Sequence, residues 1–241
     1  MTEYAPSPAL RRRARTVDRL LEAFYGPPRI RPVRDPVGVL VRAVLSQNTS
    51  DRNSDRAFTR LRERLRTWRA VRDAPLRTVE ALIRPAGLST VRARRIRTLL
   101  RALPEAGGEP SLDFLRSASP EEARAWLLGQ PGIGPKTAAI VLLFGLRLPA
   151  FPVDTHVYRV TRRVGLVPSG MSREAAHGWM EALVPPERYA PFHLLLVRHG
   201  REICRAHAPR CTGCPLRRAC AAYVGRTSPQ PAPPGPPRAG L

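Results

Sequence analysis

Apolar residues in this chain return every third or fourth position and nowhere alternate convincingly, a pattern that favours helices over strands. Between Ala9 and Phe24, Leu10, Val17, Leu20, Leu21 and Phe24 form one face while arginines fill the other. Pro27, Pro28, Pro32 and Pro36 then interrupt the chain. Helical periodicity resumes over about 36–46, 53–66, 77–84 and 89–103. After Gly107, Gly108 and Pro110, Ser119-Pro120-Glu121-Glu122 offers a capping serine, a proline for the first helical position and acids for the first turn. Further helices are expected over about 136–145, 155–164, 172–183 and 190–203. Residues 1–8 read as frayed. From Gly225 onward a Pro-rich tail has nothing to bury and is expected to be disordered. The expected fold class is all-α.

Charge narrows the partners. The 241 residues hold 41 Lys+Arg against 19 Asp+Glu, a net +22. A field of that size suits a polyanion, nucleic acid ahead of an anionic membrane surface. No run approaches the roughly 18 apolar residues of a spanning helix. Of the 41 basic residues, 40 are Arg and one is Lys136. A GC-rich genome accounts for most of the arginine excess. Arginine serves wherever a fixed charge is enough, but it cannot become a neutral amine near neutral pH, so the surviving lysine is a candidate for amine chemistry. Arg11, Arg12, Arg13 and Arg15 fit either a transit peptide or the polar face of the first helix. No apolar signal follows Met1, so the expected location is the bacterial cytoplasm. All four cysteines, Cys204, Cys211, Cys214 and Cys220, fall in one stretch. That clustering reads as a metal site in a reducing compartment rather than a disulfide framework. The spacing admits zinc or an iron–sulfur cluster.

Leu127-Leu128-Gly129-Gln130-Pro131-Gly132-Ile133-Gly134-Pro135-Lys136-Thr137-Ala138-Ala139 joins two helices through a Gly-x-Gly turn. Glycines permit a tight reversal, and the free amides of the helix that follows suit a phosphate oxygen without reading a base. A plain helix–helix turn explains Gly-x-Gly equally well; Pro-Gly-Ile-Gly-x-Lys-Thr-Ala is far more specific. The segment resembles the helix–hairpin–helix of the endonuclease III family of DNA glycosylases. Leu148-Pro149-Ala150-Phe151-Pro152-Val153-Asp154-Thr155-His156 resembles the family's Gly/Pro-rich loop and catalytic aspartate, and Cys-x6-Cys-x2-Cys-x5-Cys after His199-Gly200-Arg201 resembles its cluster motif. The resemblance runs from about residue 16 to 222, with the three motifs in family order.

The resemblance implies a nucleophilic Lys136, a catalytic carboxylate at Asp154, backbone contacts to DNA at Gly132 and Gly134, and a 4Fe–4S cluster on the four cysteines. Asp154 is also a natural helix cap before Thr155. Leu45-Ser46-Gln47-Asn48-Thr49-Ser50-Asp51 resembles the loop whose polar residue fills the gap left by a flipped base. The register admits Gln47 or Asn48, with Gln47 preferred because Gln-x-Thr then matches. Pro85-Ala86-Gly87-Leu88 resembles the apolar wedge loop, with Leu88 as wedge; a packing residue is the alternative. His156 is a candidate pocket residue, with packing or backbone capping as the alternatives. Arginines between Arg92 and Arg97, and Arg205, Arg210, Arg217 and Arg218, are candidate phosphate contacts. Ser89-Thr90 and Gln130 depart from the family pattern.

The implied architecture is two helical domains flanking a DNA-binding cleft: a six-helix domain over 34–147, a cluster domain from 9–33 and 148–224, and a disordered tail over 225–241. The implied function is a monomeric bifunctional glycosylase and abasic-site lyase that removes oxidised pyrimidines from damaged double-stranded DNA, with no membrane partner. The alternatives are a related enzyme for mismatched thymine or pyrimidine dimers, and a catalytically inactive DNA-binding or redox protein.

Overall fold

Small polar caps and prolines set where the helices begin. In the computed structural model, which describes residues 5–30 and 33–227, Ser7 accepts a hydrogen bond from the Leu10 amide and Pro8 opens α1 (Pro8–Tyr25). Asp35 and Pro36 open α2 (Pro36–Leu45) in the same way, and Ser50 caps α3 (Asp51–Arg64). Then come α4 (Trp68–Asp73), α5 (Leu76–Ile83) and α6 (Ser89–Ala102). Ser119 and Glu122 cap each other's amides to start α7 (Pro120–Leu128). α8 (Pro135–Ile140) runs on as a π-helical stretch over Val141–Leu146. α9 (Thr155–Arg163), α10 (Ala175–Leu183), α11 (Tyr189–Glu202) and α12 (Ala221–Thr227) complete the described chain. None of these helices is long and apolar enough to cross a membrane.

Four features differ from the periodicity reading. α4 is six residues long, too short to show a repeat. β1 (Glu105–Ala106) and β2 (Glu109–Pro110) pair antiparallel around Gly107 and Gly108, both at positive φ. This hairpin is specified by its turn rather than by alternation. The helix expected over 136–145 changes to π geometry at Val141, where Gly145 lies against Pro36. α12 reaches Thr227, past the Gly225 boundary expected for the tail, because the Tyr223 and Val224 amides bond to the Cys220 carbonyl and start a helix there. Residues 1–4 and 228–241, where fraying and disorder were expected, lie outside the described residues.

Two hydrophobic cores organise the described residues. The first gathers Leu40, Val44, Leu61, Ile83, Ile96, Leu127 and Leu142 from α2 to the π-helical stretch. The second packs Val17 and Leu21 of α1 against Phe151, Val160, Met180, Phe192 and Leu196. α1 is tied down further: the Arg13 guanidinium donates to the Val164 and Ala219 carbonyls at 2.9 and 2.8 Å, and Asp18 pairs with Arg188 at 2.7 Å. The chain passes from the first core to the second at Ala150–Phe151. A cleft opens where the hairpin meets the start of α9.

Candidate active site

The hairpin turns at Gly132, whose φ of +76° is natural only for glycine, and the Arg95 side chain occupies the space a Cβ would need. Gly134 is exposed and precedes α8 without a side-chain cap, so the first amides of that helix have no side chain closing them off. Pro135 opens the helix and Lys136 follows it. Gln130, the departure in this motif, folds back to donate to the Trp126 carbonyl at 3.2 Å and so helps finish α7.

Lys136 and Asp154 line one cleft of about 510 Å³ with Gln47, Asn48, His156 and His177. Lys136 is half-buried. Burial lowers its pKa below the ordinary lysine value; Asp154 and Asp51 oppose that shift and Arg201 adds to it. Asp154 caps α9, one carboxylate oxygen accepting the Val157 amide at 2.7 Å. The cap fixes the carboxylate at the helix start, on the wall of the cleft. A half-buried amine of lowered pKa beside a fixed carboxylate can serve as a nucleophile with an electrostatic partner.

Two loops form the rim. The Gln47 side chain donates to the Gly132 carbonyl at 3.1 Å and to the Thr137 hydroxyl at 3.3 Å, and accepts from Arg95 at 2.7 Å. Its amide is committed to the hairpin. Asn48 is exposed, at a φ of +50°. Leu88 also adopts a left-handed φ of +47° and stands 66% exposed, an arrangement that packing alone does not account for. Arg92, expected at the phosphates, is instead buried. Its guanidinium donates to the Ala86 and Gly87 carbonyls of one loop and the Gln47 carbonyl of the other. Carbonyls at two loop ends outbid solvent for it, because buried acceptors need donors.

The second core supplies the opposite wall. Arg201 of α11 pairs with Asp51 of α3 at 2.5 Å, bridging the two cores beside Lys136. Gly200 lets α11 approach α9 so closely that a Cβ there would stand 2.8 Å from that of His156. Arg159 links His156, at 3.1 Å, to the Gly200 and Cys204 carbonyls, at 2.7 and 2.9 Å. Buried His193 and His177 brace the segment before Asp154, through the Pro152 and Phe151 carbonyls at 2.9 and 3.1 Å. Nothing in the sequence singled out His177, Arg159 or the inward turn of Arg92. A lone histidine on a helix and one arginine among forty carry no local signal of what they touch.

The four cysteines are free, half-buried and line a single small cavity. Arg163 donates to Cys204 Sγ at 3.5 Å, and His199 Nε2 lies 3.5 Å from Cys214 Sγ, with Tyr25 on its other nitrogen at 3.2 Å. Burial, reinforced by the other three cysteines, pushes the Cys214 thiol up to about 11, against one backbone hydrogen bond that lowers it. Among the described residues no three His, Cys, Asp or Glu side chains gather as a single-ion site. Arg205, Arg210, Arg217 and Arg218 around the cavity are exposed.

Residues 41–186 match the model of the HhH-GPD superfamily base excision DNA repair proteins. An endonuclease III of Thermotoga maritima is 35% identical over 199 residues, 83% of this chain and 89% of that one. A longer Arabidopsis thaliana protein, provisionally named a DNA glycosylase, is 37% identical over 162 residues, 67% of this chain and 55% of that one. The chain is also similar to an endonuclease III solved as a trapped covalent intermediate with DNA, with a TM-score of 0.75 and 30% identity over 90% of this chain and 98% of that one.

Proposed function

Because the chain belongs to the HhH-GPD superfamily of base excision DNA repair proteins, and within it to the endonuclease III family, we propose that this DNA glycosylase is bifunctional and excises oxidised pyrimidines from duplex DNA. The observation that carries the reading is Lys136: the sole lysine, half-buried at the start of α8, its pKa lowered, in one cleft with Asp154. The Nζ lone pair forms a bond to C1′ of the extruded nucleotide as the C1′–N bond to the base breaks, and the base leaves with the electron pair of the broken bond and takes up a proton. Asp154 stabilises the positive charge that develops on the sugar. Loss of the amine protons and ring opening give a C1′=Nζ imine. Removal of a C2′ proton then breaks the C3′–O bond, and the 3′ phosphate leaves with the electron pair.

Gly132, Gly134 and the uncapped start of α8 suit a phosphate. Asn48 is the better gap filler, because the Gln47 amide is already engaged. Leu88, exposed at a strained φ, suits the wedge. The four thiols converge on one cavity without gathering round a single point, and Arg163 and His199 reach sulfurs there. This fits a 4Fe–4S cluster held by Cys204, Cys211, Cys214 and Cys220. When bound it supplies positive charge for four thiolates and ties the end of the chain to α9 and α11.

Borohydride trapping on a duplex with one thymine glycol tests the reading. A covalent complex that is lost in Lys136→Ala supports it. Trapping on an abasic duplex alone keeps the amine chemistry and moves the lesion to another base, the reading that Ser89-Thr90 favours. Trapping on neither duplex overturns it in favour of a binding protein.

A further inference from the structure

Two buried histidines brace the segment that carries Asp154, but only one borders the cleft. His193 and His177 each meet a backbone carbonyl through Nδ1. A carbonyl oxygen only accepts, so in both rings the proton sits on Nδ1 and Nε2 is left with a lone pair. His193 lies in the second core against the Phe144 and Phe151 rings. His177, 5% exposed on α10, forms part of the cleft lining with Lys136 and Asp154. Its Nε2 has no hydrogen-bond partner among the described residues. Among the described residues no sealed side-chain nitrogen or oxygen is left unbonded, so this nitrogen opens to the cleft. The position is a built acceptor: buried, fixed in tautomer by Phe151, and waiting for a donor.

If the cleft receives an extruded nucleotide, with C1′ at Lys136, the base extends away from the amine and can meet α10 with its pairing edge. Arg173, four residues before His177 and just ahead of α10, also lines the cleft; it pairs with Glu174 of the same lining at 3.5 Å and itself brings only donors. One acceptor next to one donor matches an N–H next to a carbonyl, the ring imide of thymine and uracil derivatives. We propose that His177 is a specificity-determining residue whose Nε2 accepts from the imide N–H of the extruded base while Arg173 donates to the adjoining carbonyl. Burial keeps the His177 ring below the ordinary histidine pKa, opposed by its bond to Phe151, so the imidazole is neutral and the lone pair available. The proposal rests on the glycosylase reading above and adds the chemical class of base that the pocket selects.

The test is single-turnover kinetics on duplexes carrying thymine glycol, thymine glycol methylated at N3, 5-hydroxycytosine or an abasic site. The readout is the ratio of base excision to abasic nicking, which cancels any general loss of folded enzyme. The wild-type ratio should fall about 30-fold on N3 methylation, the order expected when a hydrogen bond inside a closed site is lost. His177→Ala should lower the thymine glycol ratio by about the same factor and erase the discrimination against the methyl group. His177→Asn, which keeps a carbonyl acceptor, should recover part of the loss. A wild-type enzyme indifferent to N3 methylation, or a His177→Ala ratio equal to wild type, overturns the role of His177 while leaving the lyase reading intact. Equal wild-type ratios on 5-hydroxycytosine and thymine glycol overturn the imide assignment. A wild type that releases no base and nicks no abasic duplex overturns the glycosylase reading beneath it.

Discussion

The cleft and the cysteine cavity bury polar groups to opposite ends. In the cleft the useful form of Lys136 is the neutral amine, and burial favours that form. In the cysteine cavity the ligating form is the thiolate, and burial drives Cys214 up to about 11 with the other three cysteines adding to the shift. Among the described residues, Arg163 and a backbone amide donate to sulfur there, and His199 Nε2 lies within hydrogen-bond reach. The cleft is therefore complete as the chain folds it, while four thiolates in the cavity need positive charge from outside the chain.

That difference is broken or sharpened first by taking the proposed cluster away. If the four cysteines hold the proposed cluster, removing its iron frees the turns that carry Cys204 to Cys220, and the second core should lose on the order of 10 kcal/mol. Thermal melts before and after chelation, with limited proteolysis of the segment around residues 204–227, read this out. An unchanged melt would mean that the cysteine loops stand on protein contacts alone and would erase the contrast with the cleft.

The cleft side is tested next by Arg92→Met. Three carbonyls from two loops then lose a buried donor, which should cost about 3 kcal/mol and weaken base excision more than abasic nicking, since wedge and gap filler move together. Gln47→Ala removes a link between loop and hairpin at about 1 kcal/mol. Asn48→Gly, by contrast, keeps a residue suited to the left-handed φ there, so it should leave the melt nearly unchanged and lower excision about 10-fold. Equal melts for the two single variants would show that the Gln47 bridge does not hold the rim.

How much of this was legible beforehand follows from what local sequence encodes. Ser119-Pro120-Glu121-Glu122 specifies its own cap, and it stands in the structure as a reciprocal capping box. Lys136, marked by being the one lysine and by the family resemblance, and Asp154, implied by that resemblance alone, share one cleft. What failed to show depends on contacts distant along the chain. Arg92 is one arginine in a basic helix, and only the carbonyls of two other loops turn it inward. His177 borders the cleft because Phe151 holds one nitrogen. α4 and the 105–110 hairpin are too short for a period to appear.

The smallest effects sit on Lys136 itself and carry a definite sign. Trapping on an abasic duplex requires the neutral amine, so its rate should rise with pH and level off above the lowered pKa. Asp51→Asn removes a charge that raises that pKa and should move the rise to lower pH. Arg201→Gln removes one that lowers it and should move the rise to higher pH. Both groups are about half exposed, so each displacement should be a few tenths of a pH unit and shrink in salt. Displacements in the opposite sense would remove Asp51 and Arg201 from the account of the amine. The folded chain also gives up the Lys136 proton before the unfolded chain does. Its burial therefore costs stability below the folded pKa, and the cost fades as pH rises toward the ordinary lysine value of 10.5. Lys136→Met should raise the melting temperature at neutral pH, with a gain that shrinks as the pH is raised. A variant that melts lower than wild type at neutral pH would mean that the amine is held by favourable contacts, and the cleft would then stabilise its nucleophile as a cation.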